Sequence, residues 1–128
     1  MLRVVAAVLV HLGLVLVARR APQQKRGGLW ELPGGKVEPQ ETDAVALARE
    51  LREELGVGVI VHEKLGQATH AYPDVTICLV AYRCELVQGT PHPHEHAEVR
   101  WVAASELDGL EWAPADVPLL EAVRALLA

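Results

Sequence analysis

The stretch GKVEPQETDAVALARELREELGV, residues 35–57, decides the fold of this chain. Within it, apolar residues recur at the three- and four-residue spacing of a helix with one buried face, namely Ala44, Leu47, Ala48, Leu51 and Leu55. Thr42 precedes this stripe and suits an N-cap, and Gly56 follows it and suits the left-handed residue that ends a helix. The pattern predicts a helix over residues 42–55.

Three acids, Glu50, Glu53 and Glu54, form a second face of this helix. At about 100° per residue they span an arc of about 100°, centred roughly 130° from the apolar stripe. Each like-charged pair at i,i+3 or i,i+4 costs roughly a few tenths of a kcal/mol on an isolated helix. A divalent cation would turn this repulsion into coordination, and carboxylate oxygens suit Mg²⁺, which favours phosphate-bearing partners. Without further residues, an ordinary solvated acidic face explains the pattern equally well.

The spacing around the acids is more specific than the acids themselves. Glu41 lies six residues after Gly35, and seven residues separate it from the run RELREELGV at 49–57. These residues match every specified position of the signature G-x5-E-x7-R-E-U-x-E-E-x-G-U, in which U is a bulky aliphatic residue. The chain therefore resembles the Nudix hydrolases. The resemblance implies attack of water on a phosphorus of a pyrophosphate bridge, in a nucleoside diphosphate linked to a further group.

The remaining pattern predicts a mixed α/β (α+β) domain spanning residues 1–128. Strands are predicted at 4–10, 14–20, 29–32, 57–61, 67–72, 75–86 and 98–103, and further helices at 105–110 and 115–127. The resemblance implies the Nudix fold, a mixed sheet sandwiched between the central catalytic helix and a C-terminal helix.

Composition argues against several classes of protein. The 128 residues carry a formal charge of −5, with three Trp, two Tyr and no Phe, so we expect no binding to polymeric nucleic acid. The apolar run at 4–18 is shorter than the roughly 20 residues that cross a bilayer, so two strands are predicted there, with no membrane partner. We expect a cytoplasmic protein without an obligate protein partner, and reduced, buried thiols at Cys78 and Cys84.

The charge is unevenly placed along the chain. Residues 31–54 hold seven acids against three bases, whereas residues 1–30 hold five bases and no acid. The acidic block would recruit a cation, and the basic segment, Arg20 included, would form a complementary positive wall. This distribution favours a single metal-bound nucleotide as ligand.

The resemblance implies a metal site. Glu50, Glu53 and Glu54 would bind Mg²⁺, with Mn²⁺ able to substitute, and the backbone carbonyl of Gly34 would join them. Glu95 lies six residues before a Trp, the offset of a further metal-binding or base carboxylate in MutT-like members of the family, although a plain loop residue is the alternative.

Two further roles at this site belong to catalysis, a general base and an arginine that holds one of the acids in place. Either Glu53 or Glu95 would be the base toward the attacking water, and the sequence leaves that choice open. Arg49 lies i,i+4 from Glu53 and can hold it in place.

The substrate is implied by similarity beyond the box. The stretches at 28–42, 94–101 and 113–122 resemble the MutT-like branch, and most closely its bacterial CTP pyrophosphohydrolases. This similarity implies hydrolysis of a nucleoside triphosphate to the monophosphate and pyrophosphate, with oxidised or methylated (d)CTP or 8-oxo-dGTP as substrates. Two alternatives are another Nudix substrate, such as ADP-ribose or a dinucleotide, and a catalytically silent nucleotide-binding module.

Matching positions imply the substrate contacts Arg20, Leu32, Lys36, Tyr72, Trp112 and Asp116. Several of these also have structural explanations: Arg20 as a solvated strand end, Leu32, Tyr72 and Trp112 as core residues, and Asp116 as a helix N-cap. An ionised Asp116 would favour the exocyclic amine of cytosine, whereas a protonated one would regain a donor for guanine. The alternating His92, His94 and His96 predict a solvated loop.

Overall fold

The computed structural model describes all of residues 1–128. Seven strands and two α-helices follow one another along the chain. They are β1 (Leu2–His11), β2 (Leu14–Arg19), β3 (Trp30–Glu31), β4 (Gly34–Lys36), α1 (Asp43–Leu55), β5 (Gly58–Ala71), β6 (Thr76–Gln88), β7 (Glu98–Val102) and α2 (Leu120–Leu127). Two 3-10 helices, Ala104–Gly109 and Pro114–Leu119, precede α2.

The strands form a mixed sheet in the order β3-β2-β1-β6-β5. β1 runs parallel to β6, pairing Leu2 with Ile77 through Leu9 with Cys84, and all other pairs are antiparallel. The short β4 pairs with the first half of β1, and β7 pairs with β2. The central strand β1 is therefore hydrogen-bonded to β4, the short strand that precedes α1 in the chain.

Both faces of the sheet are buried. In β1, Val5, Ala7 and Leu9 pack with the apolar face of α1, while Ala6 and Val8 pack with the 3-10 helices and α2. This alternation is the two-residue period of a strand. The predicted sandwich of a mixed sheet between the central helix and a C-terminal helix is confirmed.

Helix α1 begins and ends as predicted. The Thr42 hydroxyl accepts a hydrogen bond from the backbone N–H of Val45, and Gly56 closes the helix with φ +70°. Its buried face is rotated relative to the prediction, because Ala46 is buried and Ala44 is exposed. Since Ala46, Glu50 and Glu54 are spaced four residues apart, this rotation draws two of the acids toward the sheet.

Other element boundaries differ from the prediction for physical reasons. The two strands predicted at 57–61 and 67–72 are one strand, β5, whose register shifts at Val61/Lys64 and Lys64/Gly66 disguise its continuity. The helix predicted at 105–110 is a 3-10 helix, and α2 begins only at Leu120 because Pro118 lacks the N–H that an α-helix needs.

Two further expectations concern the apolar N-terminal run and the cysteines. Residues 4–11 belong to β1 and residues 14–18 to β2, with a turn at Leu12 and Gly13 between them, and neither α-helix has the length and apolar composition of a transmembrane span. Cys78 and Cys84 are both free and buried.

Candidate active site

A cleft of about 340 Å³ lies between α1, β4 and the C-terminal segment. It collects residues predicted separately for the metal and for the substrate, namely Arg20, Leu32, Gly34, Lys36, Glu50, Glu54, Tyr72, Glu95 and Asp116. Three predicted site residues, Arg49, Glu53 and Trp112, do not line it. One continuous surface therefore presents both acids and candidate nucleotide contacts.

Arg49 holds the acidic face together. Its guanidinium donates to both carboxylate oxygens of Glu41, at 2.7 and 2.9 Å, and to Glu50 at 2.9 Å. It also reaches the backbone carbonyl of Lys36 at 3.1 Å, whereas the bond to Glu53, the predicted partner, is the longest at 3.3 Å. Hydrogen bonds from Arg49 lower the pKa of Glu41 to about 2. Glu41 thus fastens the loop before α1 to the helix.

The three helix acids occupy different environments. The Glu50 carboxylate lies against Gly35, where an added Cβ would come within 2.3 Å of it. Glu54 is largely buried, and its Oε2 atom has no hydrogen-bond partner. Burial, and then the charges of Glu50 and Glu31, raise the pKa of Glu54 well above its ordinary value. Glu53 points outward, with 59% of its side chain exposed.

The acids at the cleft are suitable ligands for a divalent cation, although their side chains are not yet arranged around a single ion. No three His, Cys, Asp or Glu side chains lie close enough together to share one ion as they stand. However, an unpartnered, buried carboxylate oxygen next to other acids is costly unless a cation or proton joins it. Glu50, Glu54 and Glu95 line the cleft and offer only oxygen donors, and Glu53 can reach it by rotation of an exposed side chain. The set suits a hard cation.

Gly34 has a packing reason to be glycine. A Cβ at this position would lie 1.9 Å from the backbone oxygen of Val5, its neighbour in the sheet. The close pairing of β4 with β1 therefore leaves no room for a side chain at position 34, in the wall of the cleft.

Asp116 joins the C-terminal segment to the end of β3. It is 5% exposed, and its Oδ2 atom accepts a hydrogen bond from the backbone N–H of Leu32 at 2.9 Å. Burial and the nearby charge of Glu31 raise the pKa of Asp116 to about 8. The predicted N-cap alternative is wrong, because Asp116 lies inside a 3-10 helix whose N-cap is Ala113. Leu32 both lines the cleft and packs in the core.

The two predicted aromatics differ in position. The Tyr72 ring lies in the cleft with the Arg26 guanidinium 4.0 Å from its centroid, and its hydroxyl accepts from the backbone N–H of Ala115 at 2.8 Å. Trp112 packs against the core, and its indole N–H donates to the carbonyl of Leu107 at 2.7 Å. The structure brings only Tyr72 to the cleft.

Sequence reasoning missed a polar network at the cleft. Glu31 accepts from Arg20 at 3.0 Å and lies 2.9 Å from Nε2 of His96. The His96 side chain is only 6% exposed, so the predicted solvated loop is wrong for this residue. No local signal separates His96 from His92, since the partner that buries it lies 65 residues away.

Comparisons with known proteins identify the family to which the chain is similar. A family model described as NUDIX domain matches residues 4–122. The chain is 43% identical to a CTP pyrophosphohydrolase of Escherichia coli K12 over 128 residues, covering all of this chain and 95% of that protein. It is 44% identical to a putative 8-oxo-dGTP diphosphatase 2 of Mycobacterium tuberculosis over 116 residues, covering 88% of this chain and 81% of that one.

Solved structures show the same fold. The solution structure of the E. coli ORF135 protein matches with a TM-score of 0.85 and 42% identity, covering 100% of this chain and 91% of the other. The crystal structure of a MutT protein from Methanosarcina mazei Go1 also gives a TM-score of 0.85, with 27% identity, covering 98% of this chain and 94% of that one. The predicted Nudix fold is therefore confirmed.

Proposed function

The chain belongs to the Nudix hydrolases, and on that premise we propose that it is a Mg²⁺-dependent nucleoside triphosphate pyrophosphohydrolase. It would cleave a triphosphate to the monophosphate and pyrophosphate. The names of two relatives, CTP pyrophosphohydrolase and putative 8-oxo-dGTP diphosphatase 2, support a cytosine nucleotide or 8-oxo-dGTP as the substrate. We extend this to oxidised or methylated (d)CTP on the resemblance of the sequence. A cytoplasmic location is part of the proposal.

The observation that carries the proposal is the unpartnered Oε2 atom of Glu54. This oxygen lies beside the Glu50 carboxylate in the wall of the cleft that also holds the candidate nucleotide contacts. The structure offers no neutralising partner for Glu54, because Arg49 already binds Glu41, Glu50 and Glu53. A cation that arrives with the substrate would supply that partner. All-oxygen donors favour Mg²⁺, with Mn²⁺ as a substitute.

The chain's residues divide the work of the reaction. Glu50, Glu53, Glu54 and Glu95, with the carbonyl of Gly34, would hold the cation. When bound, that cation screens phosphate charge and lowers the pKa of a bound water. Arg20 and Lys36, from the cleft wall, would face the phosphate oxygens.

The positions of the two candidate general bases, Glu53 and Glu95, favour Glu95. Glu95 lines the cleft, whereas Glu53 points outward and accepts a hydrogen bond from Arg49. This placement supports Glu95 as the proton acceptor, because a general base must lie within hydrogen-bond reach of the water.

Asp116 supports recognition of the base. Its Oδ2 atom is bonded to Leu32, which leaves Oδ1 for a ligand in the cleft. With a pKa of about 8, the carboxyl is mainly protonated at pH 7 and can both donate and accept. The ionised form of Asp116, which would favour cytosine, is therefore the minor form at pH 7, where guanine fits as well.

Initial rates on a panel of normal, oxidised and methylated ribo- and deoxynucleoside triphosphates test the proposal, with ADP-ribose included. We expect a modified cytosine or guanine nucleotide to give the highest kcat/KM, at least about tenfold above the unmodified triphosphates. Faster turnover of ADP-ribose than of every triphosphate would overturn the assignment of the substrate class.

A further inference from the structure

The three histidines that alternate around Glu95 lie in a loop that crosses the C-terminal end of α1. An α-helix leaves its last four carbonyls without partners inside the helix. Here the Arg52 carbonyl accepts from Gly56 N–H at 3.0 Å, as in an ordinary cap. The next three carbonyls belong to Glu53, Glu54 and Leu55, and the histidine loop supplies all three of their donors.

The bonds centre on His94. Its backbone N–H donates to the Glu54 carbonyl at 3.2 Å, and its ring Nδ1 lies 3.1 Å from the Glu53 carbonyl. Because a carbonyl oxygen only accepts, Nδ1 of His94 carries the hydrogen. The backbone N–H of His92 donates to the Leu55 carbonyl at 3.0 Å, while the His92 ring makes no hydrogen bond and packs edge-on against the His94 ring, with centroids 5.3 Å apart. His94 is therefore hydrogen-bonded to the helical turn that carries Glu53 and Glu54.

The other side of Glu95 is also anchored. His96 is buried, and its Nε2 atom lies 2.9 Å from Glu31, which in turn binds Arg20. Glu95 stands between these two attachments, lines the cleft, and makes no hydrogen bond within the protein. Its charge adds to the repulsion around Glu54. An exposed loop carboxylate pushed away by like charges would otherwise move from the cleft.

We propose that His94 is a positioning residue, which fixes the loop to the end of α1 and so holds Glu95 opposite Glu54. His96 completes the attachment from the side of β3. The inference rests on the proposed role of Glu95 and gives the alternating histidines a purpose: alternate residues anchor the loop, and the acid between them faces the cleft. Groups that orient a ligand or base typically contribute about 10- to 100-fold to metal affinity or activity.

The test compares His94→Ala with His94→Asn, whose Nδ2 donor replaces Nδ1, and with His92→Ala as the matched control. His94→Ala should lower kcat about tenfold with little change in KM, and His94→Asn should recover most of it. His92→Ala removes the contact between the two rings but leaves every hydrogen bond to the end of α1 in place, so its kcat should stay within about threefold of the wild type. In a Glu95→Gln background, His94→Ala should cause no further loss.

Hydrogen exchange gives a readout that needs neither metal nor turnover. In His94→Ala, the amides of residues 89–97 should exchange faster while those of residues 45–55 stay protected. Unchanged exchange, or an equal fall in kcat in the wild-type and Glu95→Gln backgrounds, would overturn the inference. Full activity of Glu95→Gln would also overturn it while leaving nucleotide hydrolysis intact. A wild-type protein inactive on every nucleotide would refute the proposed function instead, and exchange would still decide whether His94 holds the loop.

Discussion

Asp116 shows how far a single residue's environment changes its chemistry. The side chain is almost fully buried, one oxygen is held by the Leu32 N–H, and Glu31 lies near enough to oppose its ionisation. A carboxyl in that environment resembles an amide at neutral pH, because it presents a donor beside an acceptor. Recognition of the base at this position depends on protonation as well as on residue type.

We therefore predict that base preference changes with pH. The folded pKa of Asp116, about 8, lies above the ordinary value of 3.8, so the neutral form prevails below pH 8 and the donor is lost above it. Between pH 7 and 9, kcat/KM for a cytosine nucleotide should rise relative to a guanine nucleotide by up to about tenfold, since a guanine carbonyl then loses its donor. Taking the ratio cancels the shared ionisation of the phosphates.

The matched control is Asp116→Asn, whose amide does not titrate. Its ratio of the two kcat/KM values should be flat between pH 7 and 9. An equal slope in the variant and the wild type would show that another group controls the preference.

At the scale of elements, β4 and α1 form the wall that places the acids. Two neighbouring glycines of β4 have different neighbours: a Cβ at Gly34 would meet the backbone of Val5, whereas a Cβ at Gly35 would meet the carboxylate of Glu50. A backbone neighbour cannot move without breaking the β1–β4 pairing, but the end of a Glu side chain can rotate. A side chain at position 34 should therefore affect folding, whereas one at position 35 should affect the placement of Glu50 and so the chemistry.

The paired variants Gly34→Ala and Gly35→Ala should behave differently. Gly34→Ala should lower the free energy of unfolding by about 2 kcal/mol or more, as steric strain at a closely packed backbone does. Gly35→Ala should stay within about 1 kcal/mol of the wild type in urea unfolding, yet lose about tenfold in kcat and need more Mg²⁺ for half-maximal rate, because Glu50 is displaced. Wild-type Mg²⁺ dependence in Gly35→Ala would contradict the placement of Glu50 at the metal.

The elements that could be predicted are those with a local cause. Periodicity and the caps at Thr42 and Gly56 predict α1, and short, nearly continuous apolar runs predict β1 and β6. Three residues carry too little pattern to predict β4, and the helical period alone does not show that Pro118 delays the start of α2 to Leu120. The predicted bounds of helices and strands are wrong where backbone hydrogen bonding, and not the hydrophobic pattern, decides where an element begins or ends.

At the scale of the whole molecule, the acidic block becomes one wall of a cleft. The lining contains six acids, Glu31, Glu38, Glu50, Glu54, Glu95 and Asp116, against His96 and three residues with a permanent positive charge, Arg20, Arg26 and Lys36; of the acids, Asp116 is mainly neutral at pH 7. A bare triphosphate would be repelled by this surface, so a cation must accompany it. The net charge of −5 is thus consistent with binding a nucleotide together with its metal.

The cleft could be predicted only in part. The signature at 35–57 located Glu50 and Glu54, and the family resemblance indicated Arg20, Glu95 and Asp116, all of which the fold brings to one surface. The bonds that set their chemistry join residues 84 positions apart, as between Leu32 and Asp116, and no local pattern encodes such a pairing. Tertiary burial, which raises the pKa of Asp116, is not visible in the sequence.

The central claim is that this cleft hydrolyses a nucleoside triphosphate with the help of a divalent cation. Phosphorus-31 NMR of the products, with Mg²⁺ and then with excess chelator, tests it most directly, and Glu54→Gln is the matched variant of equal volume. We predict monophosphate and pyrophosphate, and a rate that falls about 100-fold or more on chelation and in the variant. Release of orthophosphate, or turnover undiminished without a divalent cation, would contradict the account.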